Sequence, residues 1–232
     1  MLAVIVPAHN EAEHIGACVQ ALHVAAQCAS LHGEAVAIIV VLDACSDATA
    51  AVARSSGAVT LSVSARNVGF ARARGAELAL QRGARWLAFT DADTLVAPDW
   101  LAAQLALGCD AVCGTVAVGD WGSHAESTQQ HHDATYRDVD GHRHIHGANL
   151  GVSASAYRRA GGFLPLHSSE DVALVQALQA CAATIAWSAA PRVVTSSRRS
   201  YRAPAGFGAA LESAERTLAA GAAQAAATKA AE

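Results

Sequence analysis

Charged residues are scarce in this sequence: Asp, Glu, Lys and Arg make up 16% of its 232 residues, and the formal net charge is −4. Without a basic excess there is no electrostatic reason to expect nucleic acid or an anionic membrane surface as a partner. Long apolar runs are missing as well. The run at 36–42 is strand-sized, far below the roughly 18–20 residues a membrane-spanning helix needs, so no transmembrane segment is expected. The opening residues carry no basic leader and reach Asn10 and Glu11 too early for an export signal, and a cytoplasmic location is the expectation. The six cysteines (18, 28, 45, 109, 113 and 181) include no Cys-x-x-Cys pair, which removes the usual frame for zinc; they read as reduced, small, buried hydrophobes. There is no internal repeat. No glycine-rich loop follows the first apolar run, so the dinucleotide fingerprint and the phosphate loop are both absent. Phosphate neutralisation must then depend on a metal and on arginines.

What is present is a hydrophobic share of 53%, which excludes disorder over most of the chain. Residues 4–6 are a buried-strand run closed by Pro7, and 11–27 carry Ile15, Cys18, Val19 and Leu22 at helical spacing. The pattern returns with strands at 36–42, 59–63 and 86–90 and helices at 47–55, at 67–82 and after Pro98, a residue suited to the first turn of a helix. Such repeated β-α units predict an α/β fold: a doubly wound, mostly parallel sheet with helices on both faces. Beyond Cys109 the pattern loosens. Residues 111–118 predict a strand, and 119–141 are polar, rich in histidine and without a period, which predicts a long functional loop. A strand at 145–152, helices at 153–159 and 169–181 and short strands near Ile185 and Val193 follow. One domain over 1–207 is expected. The alanine-rich tail, 208–232, is helical or disordered unless it docks, and it is the candidate contact of a homo-oligomer.

In open α/β sheets ligands bind beyond the carboxyl ends of the strands, and there this sequence turns polar: Pro7-Ala8-His9-Asn10-Glu11, Asp43-Ala44-Cys45-Ser46-Asp47, Arg66-Asn67-Val68-Gly69 and Asp91-Ala92-Asp93. Two carboxylates one residue apart at a strand end, as in Asp91 and Asp93, can share a hard divalent cation that bridges diphosphate oxygens. A helix cap or a solvated turn before Pro98 would use the same residues.

These segments resemble the glycosyltransferase family 2 enzymes, which have the GT-A fold. The opening Val4-Ile5-Val6-Pro7-Ala8-His9-Asn10-Glu11 looks like the family's nucleotide-binding strand and loop, Val41 to Asp47 its acidic second-strand loop, Asn67-Val68-Gly69 with Ala73-Arg74 its third motif, and Asp91-Ala92-Asp93 its metal motif. His146-Gly147-Ala148-Asn149-Leu150, Gly161-Gly162-Phe163 and Glu170-Asp171 resemble the acceptor-side half. The resemblance runs over roughly residues 2 to 200 and implies a nucleotide-sugar-binding half, 1–107, and an acceptor-binding half, 108–207. It implies transfer of a sugar from a nucleotide-diphosphate donor to an acceptor hydroxyl with inversion. Pro7, His9, Asn10, Glu11, Asp43 and Asn67 would belong to the donor pocket, Arg74 would lie near the phosphates, Asp91 would meet the ribose or a metal-bound water, Asp93 would ligate Mn²⁺ or Mg²⁺, and Asp171 would be the catalytic base.

The chain departs from the family in places. Leu42 stands where a second acid often precedes Asp43, Gly75 follows Arg74 where many members have asparagine, and the Gln-x-x-Arg-Trp motif of processive synthases is absent, which favours a single transfer. Other readings stay open. Arg74 fits a helix surface, and Glu170 and Asp171 fit the first turn of a helix capped by Ser168 or Ser169. His142, His144 and His146 would share one strand face at period two, either solvated or supplementing a metal, with His146 the residue nearest the site. Arg198, Arg199 and Arg202 read as a closing segment or a basic surface loop. Two other functions compete: a non-catalytic nucleotide-sugar-binding subunit, and a sugar-nucleotide pyrophosphorylase, which would want glycine and lysine after the first strand.

Overall fold

A computed structural model describes residues 1–198, 208–209, 211–218 and 220. Four parallel strands come first: β1 (Leu2–Ala8), β2 (Val36–Asp43), β3 (Val59–Val63) and β4 (Trp86–Phe89). They are linked by α1 (Ile15–Ala26), α2 (Thr49–Ser55) and α3 (Val68–Gln81), with a 3-10 turn at Ala29–Leu31. Next come β5 (Thr94–Val96), α4 (Trp100–Ala106), β6 (Ala111–Gly114), β7 (Ala117–Val118), α5 (Glu126–Thr135), β8 (Leu150–Ser153), α6 (Ala154–Arg159), α7 (Glu170–Ala180), β9 (Ile185–Ser188) and β10 (Val193–Thr195). Seven strands make the main sheet in the order β3-β2-β1-β4-β8-β6-β9, and a small second sheet has the order β5-β10-β7. Strand β8 runs antiparallel to both of its neighbours, whereas β6 and β9 are parallel. The main sheet is mostly parallel, as the alternating pattern predicts.

The period of two along a strand divides β1 between two cores. Leu2, Val4, Val6 and Ala8 pack with α1 and α4 residues such as Leu22 and Trp100 on one face. Ala3 and Ile5 pack with α3, α6 and α7 residues such as Ala76, Tyr157 and Leu178 on the other. Helices therefore cover both faces, and the strands are buried runs rather than alternating ones.

Helix α3 reaches the sheet through small residues. Its buried face is Gly69, Ala71, Arg72, Gly75, Ala76 and Ala79, so the helix axis comes close to β1 and β2. A Cβ on Gly75 would lie 2.5 Å from Ile5 Cγ2 and 2.8 Å from Val41 Cγ2. The amide of Gly69 donates to the Leu166 carbonyl at 3.1 Å, and a Cβ there would sit 2.2 Å from the Leu164 oxygen. These approaches draw α3 and the 164–166 segment together beside the sheet's carboxyl rim.

Three elements differ from the sequence expectation, each for a local reason. The strand expected over 111–118 breaks into β6 and β7 because the Thr115 carbonyl accepts from Asn149 Nδ2 at 2.7 Å. The strand expected over 145–152 begins only at Leu150 because Asn149 N turns back to the His146 carbonyl. The aperiodic stretch 119–141 contains α5, a polar helix whose only buried residue is Thr128, so it has no apolar stripe to give it a period.

The described residues group into two compact units: Met1–Ala117 with Asp138–Thr195, and Val118–Arg137 with the described residues from Ser196 onward. In the second unit the His124 ring faces the Ser197 carbonyl at 2.7 Å and the Glu215 carboxylate at 3.3 Å. Residues 208–209, 211–218 and 220 are helical; the remainder of the alanine-rich tail, and Arg199 and Arg202, lie outside the described residues. All six cysteines are free thiols, and no described helix is long and apolar enough to cross a membrane.

A Gly75→Ala substitution tests the close approach of α3. Alanine is the better helix former by about 1 kcal/mol, but its methyl meets the stiff β-branched side chains of Ile5 and Val41, and overpacking of that kind costs about 1–3 kcal/mol. Net destabilisation of about 1 kcal/mol is expected in urea unfolding; a stabilised variant would disprove the close packing.

Candidate active site

The rim loops are tied to one another by backbone groups. After β1, His9 Nδ1 lies 2.6 Å from the Asp43 carbonyl; a carbonyl only accepts, so Nδ1 carries a proton, and in the neutral ring this leaves Nε2 as an acceptor. Asn10 adopts a left-handed φ of 54°, and its side-chain oxygen accepts from Ser46 N at 2.8 Å. Glu11 is buried, with its amide donating to Thr49 Oγ1 at 2.7 Å, and Pro7 lies within β1 in register with Val41, one residue before the strand ends at Ala8. Asp43 is 4% exposed. Its carboxylate accepts from three consecutive amides, Ala65 and Arg66 at 2.8 Å and Asn67 at 2.7 Å. Asn67 in turn caps α3, accepting from Phe70 N at 2.8 Å, and donates to the Pro165 carbonyl.

Beyond β4 the centre of the site is a guanidinium. Arg72 is 3% exposed, and its Nη2 and Nη1 each lie 2.5 Å from a carboxylate oxygen, of Asp91 and of Glu170 respectively. Its Cζ is 5.8 Å from the centroid of the Phe163 ring, within cation–π range. Burial opposes the charge on Arg72, but Asp91, Glu170 and Asp171 outweigh it and hold the group protonated. Burial pushes the Glu170 carboxyl up, against the pull of Arg72. The Asp91 side chain keeps 38% exposure. Burial also drives the Cys18 thiol to about 12, with Asp91 and then Asp93 adding to the effect, so both acids of the Asp-x-Asp pair act on one thiol. Cys18 itself donates to the Asp91 carbonyl at 3.4 Å.

Asp171 stands in the first turn of α7, half-buried. One of its oxygens accepts from Gly147 N at 2.7 Å and the other from Val172 N at 2.8 Å. Each oxygen keeps a second lone pair. Gly147 is packed directly on the guanidinium: a Cβ there would lie 1.7 Å from Arg72 Nη1. Two residues on, Asn149 is fully buried and joins the segment to α4 and the 191 turn, accepting from Trp100 Nε1 and donating to the Thr115 and Pro191 carbonyls. The rings of His142, His144 and His146 stack at 5.4 and 5.9 Å, so the period-two spacing holds even though residues 142–146 form no strand.

Whether these groups suit a divalent cation can be judged from the donors. Hard carboxylate oxygens at Asp91 and Asp93 match Mn²⁺ or Mg²⁺, and one guanidinium among several acids leaves uncompensated negative charge. Among the described residues no three His, Cys, Asp or Glu side chains gather into a metal site.

The model of the family described as Glycosyl transferase family 2 matches residues 3–160. The chain belongs to this family. Among solved structures, the fold resembles Staphylococcus aureus (S. aureus) TarS 1-349 in complex with UDP-GlcNAc, with a TM-score of 0.67 and 14% identity over 89% of this chain and 61% of that one. It also resembles glucosyl-3-phosphoglycerate synthase from Mycobacterium tuberculosis, in complex with Mn²⁺, UDP and glucosyl-3-phosphoglycerate, with a TM-score of 0.60 and 16% identity over 84% of this chain and 71% of that one. No curated protein matches the chain. This family 2 chain therefore has a GT-A, Rossmann-like fold and spans about 60% of the TarS 1-349 chain and 36% of the TarS chain.

Two expectations are corrected by the geometry of this family 2 chain. Arg74, expected near the phosphates, is exposed and pairs with Glu77 on its own helix. Residues two apart on a helix point about 200° from each other, so with Arg72 facing the site Arg74 faces away. Asp43, expected to line the donor pocket, is buried and its carboxylate is engaged by the 65–67 amides. Arg72 was missed because Phe70 and Leu78, which made the Arg74 side of α3 look apolar, are only partly buried. The signal lay in the small residues: Gly69, Arg72, Ala76 and Ala79 repeat at helical spacing.

The loop after β2 yields a paired test of opposite sign. Asp43→Ala leaves three amides without their charged acceptor and should cost about 3 kcal/mol in urea unfolding. Ala44 has a φ of 51°, strained for a residue with a Cβ, so Ala44→Gly should stabilise by about 1 kcal/mol. Equal effects at the two positions would refute this account of the loop.

Proposed function

We propose that this glycosyltransferase moves a sugar from a nucleoside diphosphate sugar to an acceptor hydroxyl in a single displacement with inversion, Asp171 serving as base. The observation that carries the proposal is the held carboxylate of Asp171: two backbone amides orient it, it keeps lone pairs for an incoming proton, and it is one of the acids that act on Arg72. In the transfer, Asp171 takes the acceptor O–H proton as the acceptor oxygen bonds to the anomeric carbon. The bond from that carbon to the diphosphate oxygen breaks, and the leaving diphosphate keeps the electron pair. A positioned base of this kind contributes about 10²- to 10⁴-fold in rate.

Donor chemistry is drawn from the structural relatives, TarS with UDP-GlcNAc and the synthase with Mn²⁺ and UDP. On this reading Pro7, His9, Asn10, Glu11 and Asn67 shape the nucleoside pocket, and His9 Nε2 offers it an acceptor. Asp93, with Asp91, would hold Mn²⁺ or Mg²⁺, and His146 would supplement them. The cation, when bound, supplies electrostatic stabilisation of the departing diphosphate. The absence of the Gln-x-x-Arg-Trp motif supports one transfer per encounter rather than processive synthesis.

The test uses calorimetry with UDP and Mn²⁺ alongside nucleotide release from UDP-GlcNAc and from a panel of guanosine and thymidine diphosphate sugars. Asp171→Asn should bind UDP normally and lower turnover at least about a hundredfold. Asp93→Ala should lose metal-dependent nucleotide binding. Full turnover in Asp171→Asn would remove the base assignment, and normal Mn²⁺-dependent binding in Asp93→Ala would remove the metal assignment.

A further inference from the structure

We infer that Arg72 is a positioning residue for the transfer: through Gly147 it sets the carboxylate of Asp171, and with its other nitrogen it fixes Asp91, so that one buried side chain holds the two acidic segments in register. The inference rests on Asp171 being the base.

The chain of contacts is continuous. Glu170 and Asp171 open α7, Asp91 follows β4, and Gly147 precedes β8; no two of these segments are neighbours in sequence. The Arg72 fork reaches all of them. Nη1 bonds Glu170 and Nη2 bonds Asp91, both at 2.5 Å. Gly147 sits against the Nη end of the fork with no room for a Cβ, and from that position its amide donates to Asp171 Oδ2. The amide that orients the base is thus seated on the guanidinium. Behind the fork, Phe163 closes the apolar side in an edge-on contact with Phe89, centroids 4.9 Å apart. The Arg72 Nε–H has no partner among the described residues, so the two Nη groups carry the polar contacts.

Lysine cannot take this place. It keeps the charge but is a point donor without the planar fork, so it can hold one of the two carboxylates and does not fill the space that the Nη groups occupy against Gly147. Arg72→Lys therefore separates geometry from charge. Gly147→Ala disturbs the same contact from the other side.

Turnover is measured as nucleotide release from UDP-GlcNAc with Mn²⁺, UDP affinity by calorimetry, and folding by thermal unfolding. Arg72→Lys and Gly147→Ala should each lower kcat by on the order of 10²-fold, the loss typical of a small misplacement of a reacting group, while UDP affinity measured without Mn²⁺ changes by less than about threefold and the proteins stay folded at the assay temperature. Because both act on one contact, the double variant should be little worse than the poorer single one. The inference is overturned if Arg72→Lys turns over normally, if its defect appears in UDP affinity with kcat intact, or if the two losses multiply. Asp171→Asn in the same assay reports on the base assignment separately. A fully active Asp171→Asn removes that assignment and this inference with it, whereas an inactive Asp171→Asn beside a fully active Arg72→Lys overturns the inference alone.

Discussion

A charged guanidinium buried between carboxylates from distant parts of the chain is the tightest constraint on this site. Isolated charges in a protein interior are costly, and a buried ion pair rarely adds net stability over a well-packed apolar replacement. What such a group does confer is intolerance of error: with 3% exposure, Arg72 cannot turn to water if Asp91 or Glu170 moves away. The cost of leaving it unpaired falls on every arrangement of β4, α7 and the turn before β8 except the observed one. The small residues of α3 belong to the same requirement. Only a helix faced with Gly69, Ala71, Gly75, Ala76 and Ala79 can lie close enough to the sheet for an arginine about one turn from its N-terminus to reach the rim.

Around this centre the polar residues divide by what they bind. Asp43, Asn67 and Asn149 hold backbone amides and carbonyls of loops that have no ladder of their own, satisfying groups that would otherwise be buried without partners. Glu170 is buried and paired. Asp91 keeps partial exposure, and Asp171 is held by amides that leave lone pairs unused. Residues that look alike in the sequence, acids at strand and helix ends, thus separate into those that build the rim and those that can meet a ligand, according to how many backbone N–H groups surround each.

That separation explains what was legible in the sequence and what was not. The strands β1 to β4 and helices α1 to α3 could be read because apolar runs and helical spacings report burial directly, and the order of rim segments pointed to the family. The strand ends delivering Asp91 and Asp93 were visible for the same reason. Arg72 was not, because its helix face is apolar through glycine and alanine, residues that carry little hydrophobic signal, while Phe70 and Leu78 pointed to the wrong side. The structural use of Asp43 was hidden because its partners are the amides of residues 65–67, and backbone groups have no signature in composition. Helix α5 was hidden for the opposite reason: a helix with only Thr128 buried has no stripe for a period to reveal.

Electrostatics then connects the buried centre to the open rim. Arg72 neutralises part of the charge of Asp91, Glu170 and Asp171, but the acids near it outnumber it, and Asp93 adds another beside Cys18. A diphosphate arriving at such a rim by itself would be repelled, since like charges at close range in a partly desolvated site interact strongly. A divalent cation reverses the sign of that interaction, drawing carboxylate and phosphate oxygens to the same point. The rim offers no lysine or arginine in its β1 and β2 loops to do this instead, because Pro7 to Glu11 and Asp43 to Asp47 contain neither. A scarcity of positive charge in these two loops thus bears on the proposed chemistry: acids at the strand ends, with the deep cation Arg72 already engaged, fit the proposal that the anionic donor comes with a metal.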